Sequence, residues 1–384
     1  MTDERSTSQQ KLLDRLENLV REKFPDDRSQ LMARFVRRYY ARVRTDLLES
    51  RDLLDLYGAA LAHLGLARRR RVRQTLVRVY NPTLEQDGWE CPHSVVEIVI
   101  EDMPFLVDSV RMAVNRCNLQ LLRVIHPIVS VRRGAEGQLV EVLERNSGAQ
   151  EAQREAAIHL EIVRQTDKSV LEELAAELVR VLEDVRRAVE DWQPMRDALA
   201  SVVQEIETRA SPLDAPDVAE SLAFLRWLAA GHFTFLGYRL YELSGEGGEE
   251  ALRIVPGSGL GILRAHPKAV ASRAFASLPP ELRARARVPE LLILTKANAR
   301  ATVHRPANLD YVGIKRFDPE GRVRGEHRFL GLYGSRAYNC LPQEIPLLRR
   351  KVQSVIERAD LEPNSHSAKE LAHILETYPR DELF

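Results

Sequence analysis

The stretch SVVEIVIED at 94–102, running straight into MPFLVDSVRMAVNR at 103–116, decides how the front half of this chain folds. Its first nine residues are rich in β-branched types, which suit a pleated, half-buried surface, and they predict a strand. Pro104 has the fixed φ that a first helical turn accepts. Leu106, Val110, Ala113, Val114 and Cys117 then recur at helical spacing, so a helix with one apolar face is predicted. Upstream, QTLVRVYNP (74–82) reads as a strand closed by an Asn-Pro turn. Downstream, LQLLRVIHPIVSVRR (119–133) reads as one long extended segment, with turn residues in GAEGQ (134–138). LVEVLE (139–144) and AIHLEIV (157–163) read as further strands. A long amphipathic helix follows, with Leu171, Leu174, Leu178, Val181, Leu182, Val185 and Val189 on one stripe. The order predicts a ferredoxin-like module over 74–193, one sheet face under two helices and the other free for a partner.

The flanks differ in kind. Residues 1–73 read as helices, with apolar residues at helical spacing from Leu12 to Leu64, and end in the basic run ARRRRVR (67–73). No aromatic residues are interleaved with these arginines, so a solvated helix end fits better than a nucleic-acid site. A helical connector spans 194–216, punctuated by Pro194 and SPLDAP (211–216). Asp217 is the expected N-cap of a helix carrying Leu222, Leu225 and Leu228 and stopped at Gly231. From there to 340 the chain is strand-rich: FTFLGYRLYEL (233–243), ALRIV (251–255), LLILTK (291–296), RATVHR (300–305), DYVGIKRF (310–317) and VRGEHRFLGLYG (323–334). DPEG (318–321) is a turn signal, and one or two short helices are expected near 264–287. An antiparallel sheet crossed by short helices suits a PAS- or GAF-like fold. Residues 341–384 return to helix. The fold class is therefore α+β.

The chain has 384 residues, 44% hydrophobic and 29% charged, a folded profile with room for two or three units. Lys plus Arg (56) equals Asp plus Glu (56), so no net field draws it to nucleic acid or an acidic membrane. No apolar run reaches the ~18–20 residues of a membrane span. The polar start MTDERSTSQQ carries no signal core, and Cys91, Cys117 and Cys340 form neither a disulfide framework nor a metal motif. A cytoplasmic protein is the expectation. The hydrophobic end at Phe384 leads to the further expectation that the polypeptide continues.

Chemistry-bearing motifs are few in this sequence. PGSGLGILR (256–264) has Ile262 where a dinucleotide fingerprint needs glycine, so it reads as a turn. His159 and Glu161 give half of a zinc-deaminase pattern without its cysteines, and read as neighbours on a partly solvated strand face. Ser365, His366 and Ser367 read as a helix cap and not a triad. No catalytic, metal or cofactor-binding residue is expected. Two clusters remain. Asp102, Met103, Pro104, Phe105 and Asp108 lie where a strand end meets a helix N-terminus, a candidate effector-binding loop. Lys296, Arg300, His304, Arg305, Lys315, Arg316, His327 and Arg328 alternate with apolar residues, which suggests the solvated face of the second sheet. Lys296, Arg300, His304, Lys315, Arg316 and Arg328 are candidates for docking another domain.

From 291 onward the strings become family-specific. LTKANARATVHRPANLDYVGIKRFD, GEHRFLGLYGSRAYN, IPLLRRKVQSVIERA and SHSAKELAHILETYPRDELF resemble the N-terminal region of the large bacterial NAD-specific glutamate dehydrogenases. MPFLVDSVRMAVNR, RVIHPIVSVRR and FLRWLAAGHFTFLGYR agree, so the resemblance covers most of the chain and is weakest before about residue 75. It implies an enzyme that converts glutamate to 2-oxoglutarate and ammonia with NAD, in a catalytic domain downstream of these residues. It also implies ACT-like and PAS-type modules and helical motifs ahead of that domain, linked to amino-acid effectors and homo-oligomer assembly. By that likeness 75–192 is a first ACT-like module and about 217–340 a PAS-like unit. The last helices then lead toward a second ACT-like module. One departure bears on ligand binding: ligand-binding ACT loops resemble Asp-x-Pro-Gly-Leu-Leu, and Phe105 stands where the glycine would be. A phenylalanine there fills the ligand's space, so assembly through an open sheet edge is expected over sensing. A stand-alone amino-acid sensor is the other reading.

Overall fold

In the computed structural model the described residues are 2–24, 28–144, 152–208, 213–244, 251–264 and 290–378. They form two compact units, residues 1–185 and 186–384.

The first unit opens with helices α1 (Thr2–Lys23), α2 (Arg28–Tyr40), α3 (Thr45–Glu49) and α4 (Leu53–Ala67). There follow β1 (Leu76–Tyr80), α5 (Leu84–Asp87), β2 (Ser94–Glu101), α6 (Leu106–Arg116), β3 (Leu121–Ile125), β4 (Ile128–Arg133), β5 (Leu139–Val142), β6 (Gln153–Ile162) and α7 (Lys168–Glu190). The sheet runs β1-β2-β6-β4-β5, with β3 also on β6, and every pairing is antiparallel. The long segment 119–133 is two strands. Pro127 has no N–H to give the ladder, so pairing breaks there, while its carbonyl still accepts from Ala157 N at 3.0 Å. Arg116 on α6 reaches Glu177 on α7 at 3.6 Å.

The sheet face expected to be free is covered. Leu13, Leu16, Phe35, Val36, Tyr39, Leu56 and Leu64 of the N-terminal helices share one core with Ile125, Val129, Val131, Val142 and Ala157 of the sheet. The physical reason lies in the strands. Val129, Val131 and Ala157 are 2%, 2% and 3% exposed and project to the face away from Ile98 and Ile100, so both faces need an apolar cover. α4 comes close enough that a Cβ on Gly58 would sit 2.3 Å from Trp89 Cβ.

The second unit takes in the end of α7, then α8 (Trp192–Thr208), α9 (Ala215–Trp227) and a π-helical turn at Leu228–His232. Its strands are β7 (Phe233–Ser244), β8 (Ala251–Ile254), β9 (Leu260–Gly261), β10 (Leu292–Arg300), β11 (Asn308–Phe317) and β12 (Val323–Tyr333). They make an antiparallel sheet ordered β10-β11-β12-β7-β8, with β9 on β7. Met195, Leu199 and Val202 of α8 and Phe224 and Leu225 of α9 pack on Phe233, Phe235, Val312, Ile314, Phe329 and Tyr333. α10 (Ser335–Asn339), a 3-10 turn at Pro342–Glu344, α11 (Leu348–Ala359) and α12 (His366–Thr377) complete it. Glu220 on α9 accepts from Leu347 N at 2.7 Å and from both Nε and Nη2 of Arg349, tying α11 to α9.

Several local expectations are corrected. The N-cap of α9 is Asp214, while Asp217 lies in its first turn and takes Arg350 at 2.6 Å. RATVHR is not a strand: β10 ends at Arg300, and a turn closed by Ala301 N to Ala307 O carries His304 at φ 79°. The short helices expected near 264–287 fall almost wholly on residues outside the described set. Ser365 caps α12 by accepting from Ala368 N at 3.1 Å. Among the described residues no helix is long and apolar enough to cross a membrane.

Candidate functional site

The face of the first sheet that meets the N-terminal helices carries a buried polar ladder. Register builds it: Glu101 lies opposite Glu155, Glu97 opposite His159, and Val95 opposite Glu161. Side chains two apart on a strand share a face, so these groups line up in three rungs. Glu97, Glu155, His159 and Glu161 are 0%, 3%, 1% and 2% exposed. Charges so deep require partners.

At one end Glu155 is gripped by two arginines. Arg70 donates from Nε (3.0 Å) and Nη2 (2.9 Å), and Arg133 from Nε (2.6 Å) and Nη2 (2.7 Å). Arg70 also donates to Glu101 at 2.6 Å. Burial works to raise the Glu101 carboxyl, but Arg70 outweighs it and holds it below its ordinary value. Arg70 comes from the basic run, and its side chain is wholly enclosed. The solvated-helix-end reading therefore fails for this one arginine. At the other end Glu161 takes Arg51, from just ahead of α4, with Arg123 at 3.9 Å. Burial again opposes ionisation of Glu161, and His159, Arg51 and Arg123 together lower its pKa regardless.

The middle rung holds the chemistry. Glu97 Oε2 accepts from Arg78 Nε (3.0 Å) and Nη2 (2.7 Å), and its Oε1 accepts from the Tyr80 hydroxyl at 3.1 Å. His63 projects from α4 onto this rung. Its Nε2 lies 3.2 Å from the Ile98 carbonyl and its Nδ1 2.9 Å from the Tyr39 hydroxyl. With Nε2–H donating, Nδ1 is the acceptor, and burial pushes the imidazole down to about 4, so it is neutral near pH 7. His159 Nε2 is 3.4 Å from Glu161 Oε1, close enough for electrostatic attraction although the geometry is not that of a hydrogen bond. Among the described residues His159 Nδ1 has no hydrogen-bond partner. One donor atom each from His63, Glu97 and His159 lies within 4.8 Å of the others, the one group among the described residues with the composition and spacing to hold a metal ion. The expectation that His159 and Glu161 sit on a partly solvated face is thus overturned, because α4 covers them.

The sequence-derived clusters fare differently. In the 101–108 loop Asp102 pairs with Arg154 at 2.8 Å, and its N–H donates to Arg154 O at 2.9 Å. Phe105 is half-buried at the start of α6 with φ 72°, a left-handed backbone that favours glycine. Met103, Pro104 and Asp108 stand around it, with Pro104 and Asp108 exposed. In the second unit the basic residues do not share a solvated face. Lys315, His327 and Arg328 are 4%, 9% and 7% exposed, since β11 and β12 lie inside the sheet. Arg328 lies 4.0 Å above the Tyr241 ring and 5.0 Å above that of Tyr311, and donates to the Tyr311 hydroxyl. Arg305 donates to Tyr333 O and the Tyr338 hydroxyl. His304 and Arg316 are half-buried, and Lys296 and Arg300 are exposed on edge strand β10. Sequence reasoning passed over His63 and Glu97. The available signal was an acid in the middle of the otherwise apolar VVEIVI.

Comparison with known proteins gives a consistent result. A model of the glutamate dehydrogenase ACT1 domain matches residues 35–178, and one of the glutamate dehydrogenase helical motif 1 matches 345–384. The first match takes in α4 and the last six residues of α2 with the sheet, in keeping with their shared core. The chain is 37% identical to an NAD-specific glutamate dehydrogenase of Halomonas elongata over 97% of its length, covering 23% of that protein. It is 36% identical to the Pseudomonas aeruginosa protein of the same name over 91% of its length, covering 22%. Against the Mycobacterium tuberculosis protein of that name identity is 29%, with 84% of this chain and 18% of the relative aligned. The chain thus spans about a quarter or less of the length of the relatives it matches. The chain carries an ACT1 domain and a helical motif 1 of the glutamate dehydrogenase type and is similar over most of its length to NAD-specific glutamate dehydrogenases.

Proposed function

We propose that this chain is the regulatory and assembly region of an NAD-dependent glutamate dehydrogenase whose catalytic domain lies outside these residues. The whole enzyme oxidises L-glutamate with NAD and water to 2-oxoglutarate, ammonia and NADH. NAD binds in that other domain. The observation that carries this reading is the extent of the match: nearly all of this chain aligns, to less than a quarter of each relative. The second unit, with an antiparallel sheet backed on one face by α8 and α9, supports a PAS-like reading of its fold. Free Cys91, Cys117 and Cys340 support a reducing cytoplasm.

Within that role, assembly is favoured over sensing at the 101–108 loop. Asp102 is occupied by Arg154, and Phe105 fills the helix start where an amino-acid effector would approach. Exposed Lys296 and Arg300 are the docking candidates for downstream domains of the same polypeptide, and homo-oligomers are the expected state. The test compares three proteins: the whole enzyme, the enzyme lacking residues 1–384, and this chain alone. NAD reduction by glutamate is expected only from proteins with the catalytic domain, with altered assembly in light scattering when 1–384 is removed. Turnover by this chain alone, or unchanged assembly and kinetics without it, would sink the proposal. Calorimetric titration with amino acids separates the sensor reading, because a sensor gives binding heat.

A further inference from the structure

We infer that His63, Glu97 and His159 form a binding site for a transition-metal dication of the zinc class, clamping α4 to strands β2 and β6. Two imidazoles and a carboxylate are a ligand set that zinc takes. Three further observations support it. The first is an open nitrogen. His159 Nδ1 has no hydrogen-bond partner among the described residues, while Glu97 Oε1 and His63 Nδ1 each meet one neutral hydroxyl, of Tyr80 and Tyr39, that a cation can displace.

The second observation is the outer shell. Behind metal-bound imidazoles the other ring nitrogen is usually held by a carbonyl or carboxylate, which fixes tautomer and orientation. Here His63 Nε2 faces the Ile98 carbonyl at 3.2 Å, and His159 Nε2 faces Glu161 at 3.4 Å. Arg78 holds Glu97 Oε2, which leaves Oε1 with the Tyr80 hydroxyl. The third is enclosure: His63, Glu97 and His159 are all buried, so competing water is excluded. Donor atoms up to 4.8 Å apart must draw in to about 3.3 Å around a tetrahedral ion with bonds of about 2.0–2.1 Å.

Since the site is enclosed, an ion must enter as the chain folds. The full chain is therefore unfolded in denaturant with chelator, refolded with Zn2+ or Co2+, desalted, and assayed for metal. One ion per chain is expected, with a raised unfolding temperature for the zinc form and visible d–d absorption for the cobalt form. X-ray absorption of the zinc form should count two imidazoles, a measurement that needs no variant. His159→Ala should lose the ion. Glu161→Gln should weaken binding about 10–100-fold by removing the outer partner of His159. Circular dichroism establishes that each variant folds. Refolded wild-type chain with no retained metal, absorption without imidazole ligands, or equal metal in folded His159→Ala would each overturn the site.

Discussion

Glu155→Gln is the sharpest test of the buried ladder, because it removes one charge and almost no volume. Glu155 accepts four hydrogen bonds from Arg70 and Arg133, whose side chains are 0% and 3% exposed. At about 1.5–3 kcal/mol for each charge-assisted bond a simple sum would exceed the cost, since glutamine keeps one accepting oxygen. Its NH2, however, must face a guanidinium, and of the two buried cations Arg70 keeps Glu101 while Arg133 keeps the Gly137 and Ala67 carbonyls. Breaking one side of a buried ion pair costs about 3–5 kcal/mol, and that is the expected loss. Urea unfolding followed at Trp89 reads it in a Trp192→Phe, Trp227→Phe background, which leaves Trp89 as the single tryptophan. Adding Arg133→Met should recover about 2 kcal/mol or more of the loss by restoring charge balance. A loss below about 1 kcal/mol, or strict additivity with Arg133→Met, would refute the argument that charge imbalance and not shape sets the cost.

Three further outcomes follow from the second unit. Burial pushes the His327 imidazole down to about 4, with Arg316 and Arg324 adding to it, while Tyr238 donates to or accepts from its Nδ1 at 2.9 Å and Glu205 lies 4.0 Å away. The unfolded chain binds this proton below about pH 6.5 and the folded chain does not, so the contribution is intact above that pH. It is lost as pH falls toward 4, by about 2 kcal/mol at pH 5. His327→Gln should flatten the dependence of stability on pH between 5 and 6.5, and parallel curves would contradict this. Gly261→Ala should cost more than about 2 kcal/mol in the same kind of measurement, since φ is 59° and the new Cβ would lie 2.1 Å from Leu236 O. A neutral result there would mean the turn is freer than described. Glu220→Gln should speed hydrogen exchange in 348–359 by loosening α11 from α9. Unchanged exchange would show that apolar contacts alone seat that helix.

The elements were legible wherever a pattern is local. SVVEIVIED and the helix after it, the DPEG turn and the Ser365 cap each carry their signal within a few residues, and each is found where expected. The ladder was not legible, for a reason its partners expose. Read singly, His159 and Glu161 look like the partly solvated face of a strand, and ARRRRVR looks like the outer end of a helix. Both readings assume water as the partner. In the fold each acid instead takes an arginine from the segment before β2: Arg51 for Glu161, Arg70 for Glu155 and Arg78 for Glu97. The two solvated features are halves of one buried network, and what joins them is the cover of α1–α4 on the sheet. No window on the sequence contains both halves. Matched numbers of acids on one strand pair and arginines upstream do not specify pairing either, because only register brings Glu97 opposite His159. The same register that balances these charges leaves His159 Nδ1 buried without a hydrogen-bond partner among the described residues, and that unmet polarity is what sets the middle rung apart from the two braced ends.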